Sequence, residues 1–327
     1  MDAVMNRLRY SDEPSVRFKL LCKGQGEETA ECRHLRSQIQ TSPRVQQLLS
    51  ERDETGCIPH HPYTKWVGAH WVLADLADLG YPPGDAGLIP LREQVYSWLL
   101  GDTHQKGIKT INSLVRRCAS QEGNALYYLL TLGLADSRAD ELAARLICWQ
   151  WPDGGWNCDK SPAARHSSFM ESLIPLRGLA LHARITGNPQ SQAAAERAAE
   201  IFLKRRLFRR QTDGAVIAED FVTLHYPCYW HYDILFGLKV MAEAGFIQDE
   251  RCREALDMLE AKRLPDGGFP AEKVYYRVTD KEISGRSRVS WGGVSKAYMN
   301  EFVTADALYV LQAVGRLPVL SGRLSEN

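Results

Sequence analysis

Apolar positions recur at helical spacing along nearly the whole chain, and β-branched alternation is scarce. Five runs are apolar on most sides: HWVLADLADLG at 70–80, NALYYLLTLGL at 124–134, SLIPLRGLALHARITG at 172–187, YDILFGLKVMAEAG at 232–245 and TADALYVLQAVG at 304–315. Each reaches a glycine at its end, as where a helix stops on a left-handed residue. Between them lie more polar, one-faced runs: LREQVYSWLL at 91–100, RADELAARLICWQ at 138–150, QSQAAAERAAEIFLKRR at 190–206 and DERCREALDMLEAKRL at 249–264. Two concentric layers need this alternation, an inner layer buried on most sides and an outer one buried along a single stripe. Within 172–187, Pro175 predicts a first-turn position or a kink, and Gly178 predicts a close helix approach. The pattern therefore predicts an all-α chain of helical hairpins, five of them clear and a sixth if the N-terminal segment contributes. There, PSVRFKLL at 14–21 reads as a short helix and KGQGEETAEC at 23–32 as a loop.

A repeat punctuates these hairpins. PDGGW at 152–156 returns as TDGAV at 212–216 and as PDGGF at 265–269, with weaker counterparts in DETG at 53–56 and GDTHQKG at 101–107. The three clear copies follow an amphipathic run and precede an apolar one, at intervals of about 50 to 60 residues. Gln150 with Asp153, Gly154, Gly155 and Trp156 resembles the QW-type repeat of terpenoid cyclases and protein prenyltransferase β-subunits. Asp266, Gly267, Gly268 and Phe269 match the same pattern in part, and the resemblance spans about residues 60 to 315. It implies an (α/α)6 toroid over 59–318. Residues 1–58 would then be an N-terminal helical or loop extension packed on the barrel, and 319–327 a C-terminal tail. One such fold hosts many activities, so chemistry has to be read from particular residues.

Length and composition narrow the field. A chain of 327 residues with 44% hydrophobic content can bury a sizeable core. Forty basic residues balance forty acidic ones, so no global field recruits nucleic acid or an anionic membrane. The local cluster KRRLFRR at 204–210 reads as a solvated helix end. No run reaches the roughly 18 apolar residues of a membrane span, and the first residues lack the apolar core of a secretory signal. Eight cysteines without a C-x-x-C pair argue against a zinc ribbon and against a disulfide framework. Cytoplasmic location is the expectation, with most thiols buried as small hydrophobes.

Candidate chemistry gathers where the apolar helices begin. In a toroid these positions would ring the mouth of a central cavity, and they hold Trp66 and His70, Gln121 and Glu122, Ser168 and Glu171, His231 and Asp233, and Asn300 and Glu301. Burying so many polar groups costs several kcal/mol unless they pair with one another or line a bound ligand. Glu122, Glu171, His231, Asp233 and Glu301 are the candidate catalytic groups. Cys118, Cys158 and Cys228 fall at the same level, and Cys228 and His231, three residues apart, would share a helix face. Cys158, Cys228 and His231 are thus a candidate zinc set, with His225 as a spare ligand. The resembled prenyltransferases hold zinc with an Asp, a Cys and a distant His, whereas here the acid directly follows the thiol, in Asn157-Cys158-Asp159. Trp66, Trp156, Tyr226, Trp230, Trp291 and Tyr298 could clasp an apolar or cationic ligand, or simply fill a core. The segment 272–301 has the length of a lid or binding loop, in which Arg286, Arg288 and Lys296 could meet an anion.

The acidic D-x-D-D run of class II cyclases and the D-D-x-x-D run that binds a prenyl diphosphate are both missing. Three readings remain. The first is an enzyme acting on a small apolar or isoprenoid-like molecule in a central cavity, with zinc as a possible cofactor. The second is a carbohydrate-active hydrolase or lyase using two of the carboxylates. The third is a non-catalytic binding scaffold of the same fold.

Overall fold

A computed structural model of the chain describes residues 2–24 and 28–317. The tail expected at 319–327, and part of the expected loop at 23–32, lie outside the described residues. Helices dominate. In chain order they are α1 (Asp2–Arg9), α2 (Pro14–Leu21), α3 (Ala30–Thr41), α4 (Pro43–Leu48), α5 (Ala69–Leu79), α6 (Ile89–Leu99) and α7 (Asp102–Lys106). Then come α8 (Ser120–Thr131), α9 (Ser137–Trp149), α10 (Phe169–Thr186), α11 (Pro189–Leu203), α12 (Ile234–Glu243), α13 (Arg253–Ala261) and α14 (Glu301–Ala313). Among the described residues, sheet is confined to two short pairs: β1 (Lys109–Ile111) with β2 (Leu114–Arg116), antiparallel, and β3 (Arg277–Val278) with β4 (Arg286–Ser287), parallel. Among the described residues no helix is long and apolar enough to cross a membrane.

The five apolar runs become α5, α8, α10, α12 and α14, and each is buried around most of its circumference. Each packs on the next in chain order: α5 on α8, α8 on α10, α10 on α12 and α12 on α14. Helix α2 packs on both α14 and α5, which makes residues 14–21 part of the helical body. The amphipathic runs pack on the preceding apolar helix, α6 on α5, α9 on α8, α11 on α10 and α13 on α12. They bury one stripe, as their polar opposite faces require.

Glycines set the closest contact. A Cβ on Gly178 would stand 2.5 Å from the Gly123 carbonyl oxygen, and one on Gly123 would stand 2.6 Å from the Pro175 backbone. The backbones of α8 and α10 therefore touch, which is why the expected close approach at Gly178 is met. Pro175 lies inside α10, beyond its first turn.

The inward faces meet on charge. Lys19 of α2 reaches Asp78 of α5 at 2.6 Å and Asp306 of α14 at 3.2 Å. Lys239 of α12 reaches the same two acids at 2.6 and 2.7 Å. Arg177 of α10 pairs with Glu243 at 2.5 Å and donates to the Tyr127 hydroxyl of α8 at 2.7 Å. Lys23 joins Glu243 at 3.0 Å. Helices α2, α5, α8, α10, α12 and α14 thus all contribute to one buried cluster. Burial disfavours the charged forms of Asp78 and Asp306, but Lys19 and Lys239 outweigh it and hold both carboxyls below the usual range. Burial lowers Lys23 to about 8. The cavity left between these groups, lined by Asp75, Asp78, Arg177, Cys228 and Lys239, measures about 40 Å³.

One cysteine pair departs from expectation. Cys22 and Cys32 are joined by a disulfide between the end of α2 and the start of α3. Their ten-residue separation fits no short motif, and the contact comes from the packing of the two helices.

Candidate metal centre

The PDGG turns act as fixed joints between helices. In the copy at 152–156, Trp151 N–H donates to the Gly155 carbonyl at 2.7 Å and Gly154 N–H to the Trp151 carbonyl at 2.9 Å. The copy at 265–269 repeats the circuit, with Leu264 to Gly268 at 2.8 Å and Gly267 to Leu264 at 2.9 Å. The next N–H, of Trp156 or Phe269, donates to a hydroxyl on the following apolar helix, Ser172 at 3.1 Å or Thr304 at 2.9 Å. Gly154 has φ +106°, and a Cβ there would strike the Arg197 carbonyl at 2.4 Å. Gln150 closes the joint by donating to the Gly154 and Ala194 carbonyls at 2.7 and 2.8 Å. Trp156, expected as a ligand contact, is buried with its indole N–H on the Leu146 carbonyl at 2.9 Å.

What leaves the joint is different in kind. Asn157 runs parallel to Arg116, and its carbonyl accepts from the Arg117 N–H at 3.1 Å. That pairing sets Cys158 beside Cys118, just before α8. Glu171, in the first turn of α10, completes the group. One carboxylate oxygen accepts from the Ser120 N–H at the start of α8, 3.0 Å away, and the other stands 3.6 Å from Cys158 Sγ. One ligand atom each from Cys118, Cys158 and Glu171 lie within 4.8 Å of one another, and all three residues are half-buried. Interaction between the two thiols raises the pKa of Cys118 and lowers that of Cys158. Burial raises Glu171. Two soft sulfurs and a carboxylate, with a helix N-terminus behind the carboxylate, form a donor set that could hold a metal ion.

A pocket of about 740 Å³ opens beside this group, lined in part by His61, Trp98, His104 and Arg117. Tyr63 links the two. Its ring lies 5.4 Å from Trp98, and burial raises the pKa of its hydroxyl. Arg117 donates to Gln121 Oε1 at 2.9 Å.

The structure does not bring the expected set of Cys158, Cys228 and His231 together. Cys228 opens onto the small cavity in the charge cluster. The His231 ring is clamped between Tyr275 at 3.4 Å and Trp230 at 4.0 Å. The segment 225–233 is not one helix, since α12 starts only at Ile234, so the assumed shared face does not exist. His225 is instead bound to Asp233 at 2.7 Å, and Asp233 also caps α12 through the Phe236 N–H at 2.8 Å.

The candidate acids are tied up singly. Glu122 is fully buried against Arg117 at 3.0 Å and His104 at 3.2 Å, and burial, opposed by Arg117, moves it up to about 7. Glu301 accepts from Ser11 at 2.6 Å. Neither the large pocket nor the small cavity is lined by Glu122, Glu171, Asp233 or Glu301.

The expected aromatic wall is dispersed in the same way. Trp66 stacks on Tyr229 at 3.8 Å, Tyr226 donates to Asp78 at 2.7 Å, Trp291 is fully buried, and Tyr298 is exposed. Arg288 and Arg286 share Glu51, with Arg288 also on Asp280 at 2.6 Å, so the expected anion site is filled by the protein's own carboxylates.

His70 is wholly enclosed, between Tyr128 at 3.1 Å and Asn124 at 3.4 Å, and burial lowers its pKa from 6.5 to about 3. The unfolded chain therefore takes up this proton first. The contribution of His70 is complete above pH 6.5 and is lost as the pH falls toward 3. The expected slope is about 1.4 kcal/mol per pH unit. Urea unfolding at a series of pH values is expected to show that slope reduced in His70→Gln; an identical slope would mean that His70 titrates normally when folded.

Compared with known protein families and with curated proteins, the chain finds no match in either.

Proposed function

We propose that α2, α5, α8, α10, α12 and α14 close into the inner ring of an (α/α)6 toroid, and that the chain is an enzyme working at its rim with zinc. The order of packing supports the ring, because each inner helix meets the next and α14 returns to α2. The convergence of Cys118, Cys158 and Glu171 carries the functional reading. A zinc ion held by three protein ligands keeps a fourth position, where it acts as a Lewis acid on an oxygen of water or substrate. Cys118 and Cys158 would supply the soft ligands, and Glu171 the third, oriented by the Ser120 N–H.

The substrate is a small molecule entering the pocket beside Trp98 and Arg117, with Tyr63 at the boundary between pocket and centre. This moves the site away from the ring's axis. A cavity of about 40 Å³ walled by Asp75, Asp78, Arg177 and Lys239 suits water and excludes an isoprenoid chain.

Metal analysis of the purified chain is expected to give one zinc per chain. Cys158→Ala and Glu171→Gln should each lower zinc affinity at least about tenfold with the helical content unchanged, since each removes a ligand. A chain that takes up no zinc under reducing conditions would overturn the reading.

A further inference from the structure

The two sulfurs of the centre are also placed for a reaction with each other. Arg116 bridges Asn157 in parallel, so Cys118 and Cys158 sit on adjacent backbone segments with their sulfurs within 4.8 Å. Adjacent strands lie about 4.8 Å apart. A disulfide spans Cα separations of about 4.4 to 6.8 Å, a range that includes the spacing of neighbouring strands. The carboxylate of Glu171, 3.6 Å from Cys158 Sγ, stands ready to receive a proton. Both cysteines are half-buried, which leaves a path for a small reagent.

We infer that Cys118 and Cys158 form a redox-active dithiol that reduces low-molecular-weight disulfides, and that its closure removes the two sulfur ligands of the metal. The ligand role rests on the zinc reading above; the dithiol does not. Cys158 Sγ attacks one sulfur of a disulfide R–S–S–R, an S–S bond forms as the original one breaks, and the departing RS⁻ takes the proton that Cys158 gives up. Cys118 Sγ then attacks the Cys158 sulfur of the mixed disulfide, and its proton passes through Glu171 to the second departing RS⁻. The protein loses two electrons and two protons, and one disulfide becomes two thiols.

The test uses the full chain, reduced, stripped with a chelator and incubated with glutathione disulfide. A peptide map without reductant should show Cys118 linked to Cys158, with two glutathione thiols released per bond formed. Cys118→Ser should stop at a single glutathione adduct on Cys158, and zinc bound to the reduced wild-type chain should be lost on linkage. Unlinked Cys118 and Cys158 in the wild-type map would overturn the dithiol. A chain that links but never binds zinc overturns the metal reading and leaves the dithiol standing. A chain that holds one zinc and never links does the reverse.

Discussion

Replacing Asp306 by Asn is expected to lower the stability of the folded chain by about 3 to 5 kcal/mol, a large part of what a domain this size has. Asp306 accepts from Lys19 at 3.2 Å and from Lys239 at 2.7 Å, and it is almost fully buried. Removing its charge leaves two enclosed ammonium groups with Asp78 as the one carboxylate both contact. Neither can reach bulk water without moving a helix. Lys239→Met made together with Asp306→Leu should recover much of the loss, because the unpaired charge is then gone from both sides. Urea unfolding at neutral pH of Asp306→Asn, Asp306→Leu, Lys239→Met and the double variant measures this. A loss under about 1 kcal/mol in Asp306→Asn would show that water already screens the cluster.

Gly178→Val is expected to be nearly as damaging through a different cause. The first added carbon would lie 2.5 Å from the Gly123 carbonyl oxygen and 3.4 Å from Leu126 Cβ. Backbone cannot swing aside like a flexible side chain, so α8 and α10 must separate. Overpacking of this kind costs about 1 to 3 kcal/mol and more where backbone has to move. Separation would also pull Ser120 away from Glu171, since one begins α8 and the other lies in the first turn of α10. A midpoint shift in urea, together with weaker zinc uptake, is therefore the expected pair of results. An unchanged midpoint would mean that the two helices are looser than their glycines imply.

Much of the helical architecture was legible in the chain. Five apolar runs and four amphipathic ones fall on α5, α8, α10, α12, α14 and on α6, α9, α11, α13, because helix burial follows from local periodicity. Gly178 announced a close approach for the same reason: a residue without a side chain amid apolar neighbours marks where something else comes near. The PDGG copies were readable as joints, and the structure shows the same backbone circuit twice.

The candidate site was legible only in pieces. Cys158 and Glu171 stood out as a metal ligand and an acid, and Cys118 as a thiol at the same level, but nothing local pairs them. Their convergence depends on the bridge between Arg116 and Asn157 and on the hydrogen bond from Ser120 to Glu171, both of which join distant segments. Tyr63 and Gln121 took on a role at the boundary of the pocket for the same reason. The pairing of Cys228 with His231 assumed helix over 228–231, where the chain is not helical and Asp233 caps the helix that follows.

The buried charges mark the same division. Lys19, Asp78, Arg177, Lys239 and Asp306 lie in otherwise apolar helices, so the sequence determined that they must be paired or costly. Which cation meets which carboxylate depends on the facing of six helices far apart in the chain, and only the tertiary structure decided it. Periodicity is a property of neighbouring residues and survives in the bare sequence. Pairing across a core, whether of charges or of the sulfurs at 118 and 158, is a property of the packed whole.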